Sequence, residues 1–232
     1  MRAKPIRVAA ALLTLAAAGA TLASAALAEE KKTVDVIVFP GGFNWPLWVA
    51  EKNGYFAAAG IAVKVTPTPN SEFQLTNTYA GKFHIAMTAI DNVIAYQEGQ
   101  GPAKIENPDM VAVMAVDNGQ LSLVTVPEIK SFAELKGKQL SVDALTTGYA
   151  FVLRDLLARN GIKESDVEFV KAGGVNERWI ALEKKEHAGT ILITPFEIIA
   201  KSKGFNVLTY AAPVYGHYQG TVGAVTRRCR RR

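Results

Sequence analysis

Cysteine and histidine are scarce in this sequence. Among its 232 residues there is one cysteine, Cys229, and the three histidines are His84, His187 and His217. A single cysteine cannot form an intrachain disulfide, and a structural zinc site needs about four cysteine or histidine ligands at characteristic spacing. The sequence therefore predicts neither a disulfide-stabilised fold nor a metal site.

Familiar catalytic motifs are also missing. The sequence has no Gly-x-Ser-x-Gly elbow, no Walker A motif and no His-Glu-x-x-His helix, the patterns that place a nucleophile, a phosphate cradle or a metal site. Gly99 and Gly101 form a lone Gly-x-Gly, but Pro102 follows and no strand leads there into a convincing helix. We predict no catalytic residue and no cofactor, and therefore a protein that is not an enzyme.

The positive net charge is confined to the two ends of the chain. The formal net charge is +5, but three basic residues lie in residues 1–28 and five more in the last six positions. Residues 29–226 therefore carry 18 basic against 21 acidic groups, a net charge of −3. Because this body has no basic stripe that could follow a phosphate backbone, we predict no nucleic-acid partner.

The N-terminus has the pattern of a secretion signal. Three basic residues in the first seven positions precede an apolar run at 8–25, and Ala26-Leu27-Ala28 then gives a small-x-small cleavage pattern. The alternative is a membrane anchor, but the run is rich in alanine and no basic stop-transfer flank follows it. We predict that residues 1–28 are a cleaved signal peptide and that the mature protein is periplasmic.

Short strand-like segments alternate with helix-like segments through the rest of the chain. This alternation is typical of an α/β protein with parallel sheets covered on both faces. The rhythm breaks near residues 117–120 and then starts again, which indicates two lobes. We place the first lobe at 29–120 and the second at 121–210. Residues 211–226 are expected to cross back to the first lobe.

Ligands of open α/β sheets bind outside the carboxyl ends of the strands. Five segments of this sequence follow predicted strands and offer glycines, aromatic rings, hydroxyls or amides. They contain the candidate ligand-binding residues Gly42, Phe43, Asn44, Trp45, Thr88, Asp91, Thr146, Thr147, Gly148, Asn176, Thr194 and Glu197.

Each candidate also has an ordinary structural explanation. Gly42 lets the backbone approach a ligand and Phe43 offers a flat apolar surface, but both could belong to a tight turn beside the core. Thr147 and Gly148 at a helix N-terminus suit an anion, and simple capping by Thr147 explains the sequence equally well. Asp91 and Asp143 follow strands and precede helices, where capping is the commoner role.

Three motifs together resemble a known family. Residues 44–56 (NWPLWVAEKNGYF) with Ala59-Gly60-Ile61, residues 80–86 (AGKFHIA) and residues 131–140 (SFAELKGKQL) stand in order along the chain. They resemble signatures of the ABC-importer solute-binding proteins of the nitrate/sulfonate/taurine and thiamine-pyrimidine type. One departure is His84, where these proteins usually have aspartate.

The resemblance implies a type II periplasmic-binding fold. Such a fold has two Rossmann-like lobes joined by two crossover strands, a small organic molecule or an anion in the cleft, and transient contact with an ABC permease in the inner membrane. Some relatives are pyrimidine-forming enzymes that consume a histidine and carry a cysteine-rich motif, and this alternative is disfavoured because no cysteine precedes Cys229. The threonines and glycines of the candidate segments suit a sulfonate or a carboxylate, whereas Phe43, Trp45, Asp91 and Asp143 suit an aromatic or cationic heterocycle. Of these two classes we favour an organic ligand with a ring.

The resemblance also raises an expectation about the C-terminus. Proteins of this type usually continue beyond a return strand such as residues 220–225, whereas here an arginine-rich tail at 227–232 follows. We expect the C-terminal part of the first lobe to be truncated, so that apolar surface around Trp48, Phe56 and Ala95 is partly uncovered and the tail does not pack as a helix. The protein is then a monomer that tends to self-associate, or a fragment without function.

The signal-peptide prediction has a direct test. The intact mass of the secreted protein is expected to correspond to a chain that begins at Glu29, because signal peptidase cleaves after the small-x-small pattern. Recovery of the uncleaved chain in the membrane fraction would instead show that the apolar run is an anchor.

Overall fold

The structure, a computed structural model, describes residues 32–230. The predicted signal peptide, the boundary at Glu29 and the last two arginines of the tail lie outside the described residues. No helix within this range is long and apolar enough to cross a membrane.

Strands and helices alternate through the described chain. The strands are β1 (Lys32–Val38), β2 (Ile61–Pro67), β3 (Ile85–Ala89), β4 (Met110–Ala115), β5 (Leu121–Thr125), β6 (Gln139–Val142), β7 (Glu168–Lys171), β8 (Gly189–Ile193), β9 (Asn206–Tyr210) and β10 (Thr221–Thr226). The helices are α1 (Trp45–Lys52), α2 (Tyr55–Ala58), α3 (Ser71–Tyr79), α4 (Ile90–Gln97), α5 (Ala150–Arg159), α6 (Val175–Glu183), α7 (Phe196–Ser202), α8 (Ala211–Tyr215) and α9 (Arg227–Arg230).

The strands form two five-stranded sheets, one in each lobe. Their orders are β2-β1-β3-β10-β4 and β7-β6-β8-β5-β9. The first sheet uses strands from residues 32–115 and then takes β10 from near the end of the chain, while the second uses strands from residues 121–210. The chain therefore passes between the lobes twice.

Both sheets are mixed, so the expectation of wholly parallel sheets is wrong. β10 is antiparallel to β3 and β4, and β5 is antiparallel to β8 and β9. The reason is that β5 and β10 enter their sheets from the opposite lobe. The other strands end at the sheet edge that faces that lobe, whereas β5 and β10 begin at this edge and therefore run in the opposite direction.

Capping by side chains explains where some elements begin. Asn70 Oδ1 accepts a hydrogen bond from the backbone N–H of Phe73 at 2.7 Å and caps α3. The predicted capping box is present before a short 3-10 helix at Phe132–Leu135, where Glu134 accepts from the backbone N–H of Ser131 at 2.9 Å. Each such contact satisfies an amide that the helix itself leaves unpaired.

The two lobes differ in their hydrophobic cores. The second lobe has one continuous cluster, in which Leu153, Leu156 and Leu192 are fully buried. The buried residues of the first lobe form two smaller clusters, one around Leu75 and one around Val36. Because buried apolar area is the main stabilising term, we infer that the first lobe is the less stable of the two.

The cluster around Val36 borders an open apolar groove. This groove of about 430 Å³ lies on the first sheet and is lined by side chains that include Leu47, Phe56 and Met114. Trp48 is 45% exposed. Apolar surface near Trp48 and Phe56 is therefore uncovered in this structure, as expected from the sequence.

Two expectations about this region are wrong. Ala95 is buried, because α4 packs its apolar side against β4. Residues Arg227–Arg230 do form a helical turn, α9. There the guanidinium of Arg228 donates to the carbonyl of Tyr79 at 3.2 Å, so contact with the first lobe offsets charge repulsion within the turn.

Self-association through the exposed edge of the first sheet can be tested at Val113. On the edge strand β4 this side chain is 53% exposed, and an exposed apolar edge strand favours pairing with another chain. Val113→Lys is expected to reduce concentration-dependent association in sedimentation velocity and to change the melting temperature little. Ile198→Lys is the control, because Ile198 is 58% exposed on the second lobe. An equal effect of both variants, or a wild-type protein that is monomeric at every concentration, would contradict this prediction.

Candidate functional site

The carboxyl ends of the parallel strands of both sheets meet across one cleft. The backbone N–H of Gly42 after β1 donates to the carbonyl of Thr194 after β8 at 2.8 Å. The backbone N–H of Gly174 donates to the carbonyl of Pro69 at 2.7 Å. Backbone contacts between the lobes thus hold the loops that follow four different strands.

Each lobe supplies one buried carboxylate to a helix N-terminus of the other lobe. Asp91, in the first turn of α4, accepts from the backbone N–H of Tyr149, which precedes α5, at 2.7 Å. Asp143, after β6, accepts from the backbone N–H of Ser71, the first residue of α3, at 2.8 Å. Helix N-termini present unpaired amides and a partial positive charge, so both carboxylates act as caps across the cleft.

Further side chains join the lobes beside these carboxylates. Asn92 Oδ1 accepts from the backbone N–H of Gly148 at 2.7 Å, and the hydroxyls of Ser71 and Thr147 lie 2.7 Å apart. Thr146 Oγ1 donates to the carbonyl of Gln100 at 2.5 Å. The predicted segment at 146–148 is therefore used mainly for contact with the first lobe.

Gly148 cannot be replaced without moving Asp143. Its φ is +65°, and an added Cβ would lie 2.3 Å from the Cβ of Asp143. The turn before α5 therefore needs a glycine both for its left-handed backbone and for this close approach.

A cavity of about 30 Å³ remains between the lobes, and we call it the cleft cavity. Three of the predicted residues line it, namely Phe43, Thr88 and Gly148. This volume holds one or two water molecules. A ligand of several heavy atoms therefore requires the lobes to separate.

The wall of the cleft cavity also contains residues that the sequence did not predict. They include Phe39, Asn92, Tyr149, Arg178 and Thr221. Asp143, for which capping is the commoner role, lines the cavity as well. Arg178 and Asp143 are each 3% exposed. The terminal guanidinium nitrogens of Arg178 donate to the carbonyls of Gly173 at 2.9 Å and Ile191 at 3.2 Å.

One signal in the sequence could have found Arg178. It lies on α6 with Val175, Trp179 and Leu182, and positions i, i+3, i+4 and i+7 share one helix face. All four of these side chains are buried. A basic residue inside an apolar stripe indicates a buried charge that needs partners.

Four predicted residues line a second space, which we call the linker pocket. Gly42, Phe43, Trp45 and Thr194 surround about 250 Å³ together with Asp117 and Gln120 of the first connection between the lobes. Phe43 separates this pocket from the cleft cavity, since it lines both. The 66% exposed ring of Trp45 offers an apolar surface at the opening.

The remaining predicted residues line neither space. Asn44 is buried and donates to the carbonyl of Phe39 at 2.7 Å, so its side chain does not cap α1. Asn176 is half-buried in the first turn of α6. Glu197 accepts from the hydroxyl of Thr194 at 2.7 Å.

Asp117 holds the two connections between the lobes together. Its carboxylate accepts from the backbone N–H of Gly119 and of Thr221, both at 2.8 Å. A Cβ added at Gly220 would lie 2.0 Å from Asp117 Oδ1. The paired connections therefore form a single narrow link about which the lobes can rotate.

Burial changes the acidity of the charged groups in the cleft. It raises the pKa of Asp91 to about 6, against the opposing effect of the Tyr149 N–H. It raises the pKa of Asp143, which the charge of Arg178 opposes, and lowers the pKa of the Arg178 guanidinium. All three shifts disfavour charge inside the closed cleft.

The sequence of the chain matches a known protein family. The profile of the family described as "NMT1/THI5 like" matches residues 44–227. The chain belongs to the NMT1/THI5-like family. No curated protein sequence matches this NMT1/THI5-like chain.

Several solved structures share its fold. They include a protein from Bordetella bronchiseptica RB50, with 20% identity and a TM-score of 0.70 over 86% of this chain. The periplasmic nitrate-binding protein NrtA from Synechocystis PCC 6803 has 12% identity and a TM-score of 0.75 over 86% of this chain. The alkanesulfonate-binding protein SsuA from Xanthomonas axonopodis pv. citri, bound to MOPS, has 14% identity and a TM-score of 0.69 over 87% of this chain.

These likenesses confirm the predicted type II periplasmic-binding fold and the resemblance seen in the sequence motifs. The matched region spans 65% of the Bordetella protein, 56% of the nitrate-binding protein and 68% of the alkanesulfonate-binding protein. At these identities the structures show the fold, and the ligand has to be inferred from the site itself.

The raised pKa of Asp91 predicts that acid stabilises the closed protein. In the unfolded chain this carboxyl titrates near its ordinary pKa, so between that value and about 6 the folded state binds the proton more tightly. Its contribution to the free energy of unfolding is expected to rise by about 1 kcal/mol from pH 7 to pH 5.

Urea unfolding of wild type and Asp91→Asn at both pH values isolates this contribution. Asp91→Asn is expected to have a larger free energy of unfolding than wild type at pH 7. Its free energy of unfolding is expected to rise less than that of wild type when the pH falls from 7 to 5. Glu98→Gln, an exposed position on the same lobe, is the control and keeps the wild-type pH dependence. If Asp91→Asn is instead destabilised at pH 7, its charge strengthens the interlobe contact more than burial weakens it.

Proposed function

We propose that this chain is the solute-binding component of an ABC-type importer. It captures a small organic molecule or an anion between its lobes in the periplasm and delivers it to an inner-membrane permease. The family and the fold support this proposal. The observation that carries it is the cleft itself, where polar and charged groups of both lobes surround one cavity.

The arrangement of the lobes suits capture and release. The lobes touch through loops and helix N-termini, and the paired connections leave one narrow link. Rotation about this link opens the cleft without breaking either sheet. A ligand that contacts both lobes stabilises the closed arrangement over the open one.

We further propose that the ligand is bound without being converted. Among the described residues that line the cleft cavity there is neither histidine nor cysteine. A buried aspartate with a raised pKa can serve as a general base, so the test must examine the ligand after binding. Recovery of an unchanged ligand by mass spectrometry supports binding alone, and formation of a product would favour an enzyme.

A thermal-shift screen tests the proposal. Nitrate, sulfonates, pyrimidines, flavins and aromatic acids are added to the secreted protein, and hits are measured by calorimetry. A ligand that binds only the native state raises the melting temperature with its concentration. If no compound in a wide metabolite screen does so, the proposed function is wrong.

Thr88 offers a matched pair of variants to locate the site. It is fully buried at the cleft cavity, and its hydroxyl accepts from Asn92 at 2.9 Å. Thr88→Val is expected to weaken ligand binding roughly fivefold, since one hydrogen bond contributes about 1 kcal/mol.

Thr125→Val is the control. Thr125 is equally buried but donates to the carbonyl of Ile129 within the second lobe. Both variants are expected to lose similar stability, and only Thr88→Val is expected to lose affinity. Equal loss of affinity in both would place the ligand elsewhere.

A further inference from the structure

Two buried charged groups in the cleft cavity have an atom without a protein partner. Among the described residues, neither Asp143 Oδ1 nor Arg178 Nε makes a hydrogen bond, although both side chains line this cavity and are 3% exposed. Buried polar atoms in native proteins are almost always paired with protein or water. The cleft cavity has room for water at both atoms, and a polar group of a bound molecule would take the place of that water.

The groups that bind anions in such clefts are already occupied here. Anions usually bind free amides at helix N-termini, but Asp143 accepts from Ser71 at the start of α3 and Asp91 accepts from Tyr149 before α5. Asn92 accepts from Gly148 at the same turn. When the lobes close, a ligand anion therefore competes with two carboxylates of the protein for these amides.

The guanidinium of Arg178 is partly used by the second lobe. Two of its five N–H groups, one on each terminal nitrogen, donate to the backbone carbonyls of Gly173 and Ile191. Each terminal nitrogen keeps a second N–H, and Nε has no partner among the described residues. The negative charge of Asp143, which acts on this guanidinium, disfavours a ligand anion beside it.

The charges in and beside the cavity sum to a negative value. Asp143 and Arg178 line the cavity, and Asp91, which does not line it, adds a second carboxylate that acts on Arg178. Glu177 acts on Arg178 and Lys171 acts on Asp143, and these two charges cancel. Asp91 Oδ1 is also buried without a partner among the described residues. Three aromatic rings, Phe39, Phe43 and Tyr149, line the same cavity, and aromatic faces attract cations.

We propose that the cleft binds a small, flat organic cation, with an ammonium or amidinium group that donates hydrogen bonds to Asp143. This inference rests on the proposed function and names the chemical class of its ligand. The lobes have to move apart to admit such a ligand, because the cleft cavity holds about 30 Å³. The cation then pairs with Asp143 Oδ1, its ring packs on the aromatic side chains of the cavity wall, and an acceptor atom on the ligand pairs with Arg178 Nε. Sulfonates and nitrate, the ligands in the names of two proteins with the same fold, do not fit this charge pattern.

Two probes of equal shape and opposite charge test the proposal directly. Benzamidine and benzoate share the ring and the planar two-atom head group. With wild-type protein at a probe concentration about ten times Kd, benzamidine is expected to raise the melting temperature by about 3–5 °C. Benzoate, benzenesulfonate and nitrate at the same concentrations are expected to leave it unchanged.

Asp143→Asn identifies the group responsible. Asparagine keeps the shape of the side chain and an acceptor for Ser71 but removes the charge. The variant is expected to bind benzamidine at least tenfold more weakly in calorimetry, while Glu106→Gln, which removes a charge from an exposed loop, binds it as wild type does. If Asp143→Asn does not fold, the comparison of benzamidine with benzoate on the wild-type protein still decides whether the ligand is a cation.

The outcomes separate this inference from the proposed function. Stabilisation by benzoate, benzenesulfonate or nitrate overturns the cationic ligand and leaves solute binding intact. Binding of benzamidine with equal affinity to Asp143→Asn also overturns it. If no probe of either charge binds, the inference fails, and the wide metabolite screen decides separately whether the chain binds any solute.

Discussion

The exchange of two buried carboxylates across the cleft is the contact on which the rest of the site depends. Asp91 of the first lobe caps the turn before α5, and Asp143 of the second lobe caps α3. Each helix N-terminus thus finds its acceptor in the other lobe, which fixes how the lobes meet and where the cavity between them lies. Burying a carboxylate costs several kcal/mol, which hydrogen bonds and partial helix charges offset only in part. The closed arrangement is therefore specific in geometry without being strongly favoured in energy.

The connections between the lobes determine how the closed arrangement, which is only weakly favoured in energy, can open. Asp117 binds both connections, which leaves a single link between the lobes. In the proposed function, rotation about this link exposes both carboxylates to water together, because they lie on opposite walls of the same cleft. The second lobe has the larger continuous core, whereas the first has two smaller clusters and an open apolar groove. We therefore infer that the first lobe is the less stable of the two.

The sequence predicts the fold well and the site only in part, for a physical reason. Alternating strands and helices determine a two-lobed α/β fold through local periodicity, and the rule that ligands bind at strand ends selects Phe43, Thr88 and Gly148. The sequence indicates capping by Asp91 and Asp143, but a local pattern cannot show that the capped helix belongs to the other lobe. It does not predict Arg178, because a charge on a helix is usually solvated, and only the apolar neighbours of Arg178 on the same face indicate otherwise.

In the proposed function, the unpaired atoms of the closed cleft give a ligand the means to control closure. When the lobes separate, water reaches Asp143 Oδ1 and Arg178 Nε. In the closed arrangement, no described protein atom pairs with them, and each buried charged atom left unpaired costs free energy. A ligand shifts the equilibrium only by the difference in its affinity for the two arrangements. A molecule that pairs these atoms favours an arrangement in which Thr88 of one lobe and Asp143 of the other both contact it. The lobes are then further apart than in this structure, whose cavity of about 30 Å³ holds one or two water molecules. Selectivity for the ligand and control of closure then arise from the same buried charges.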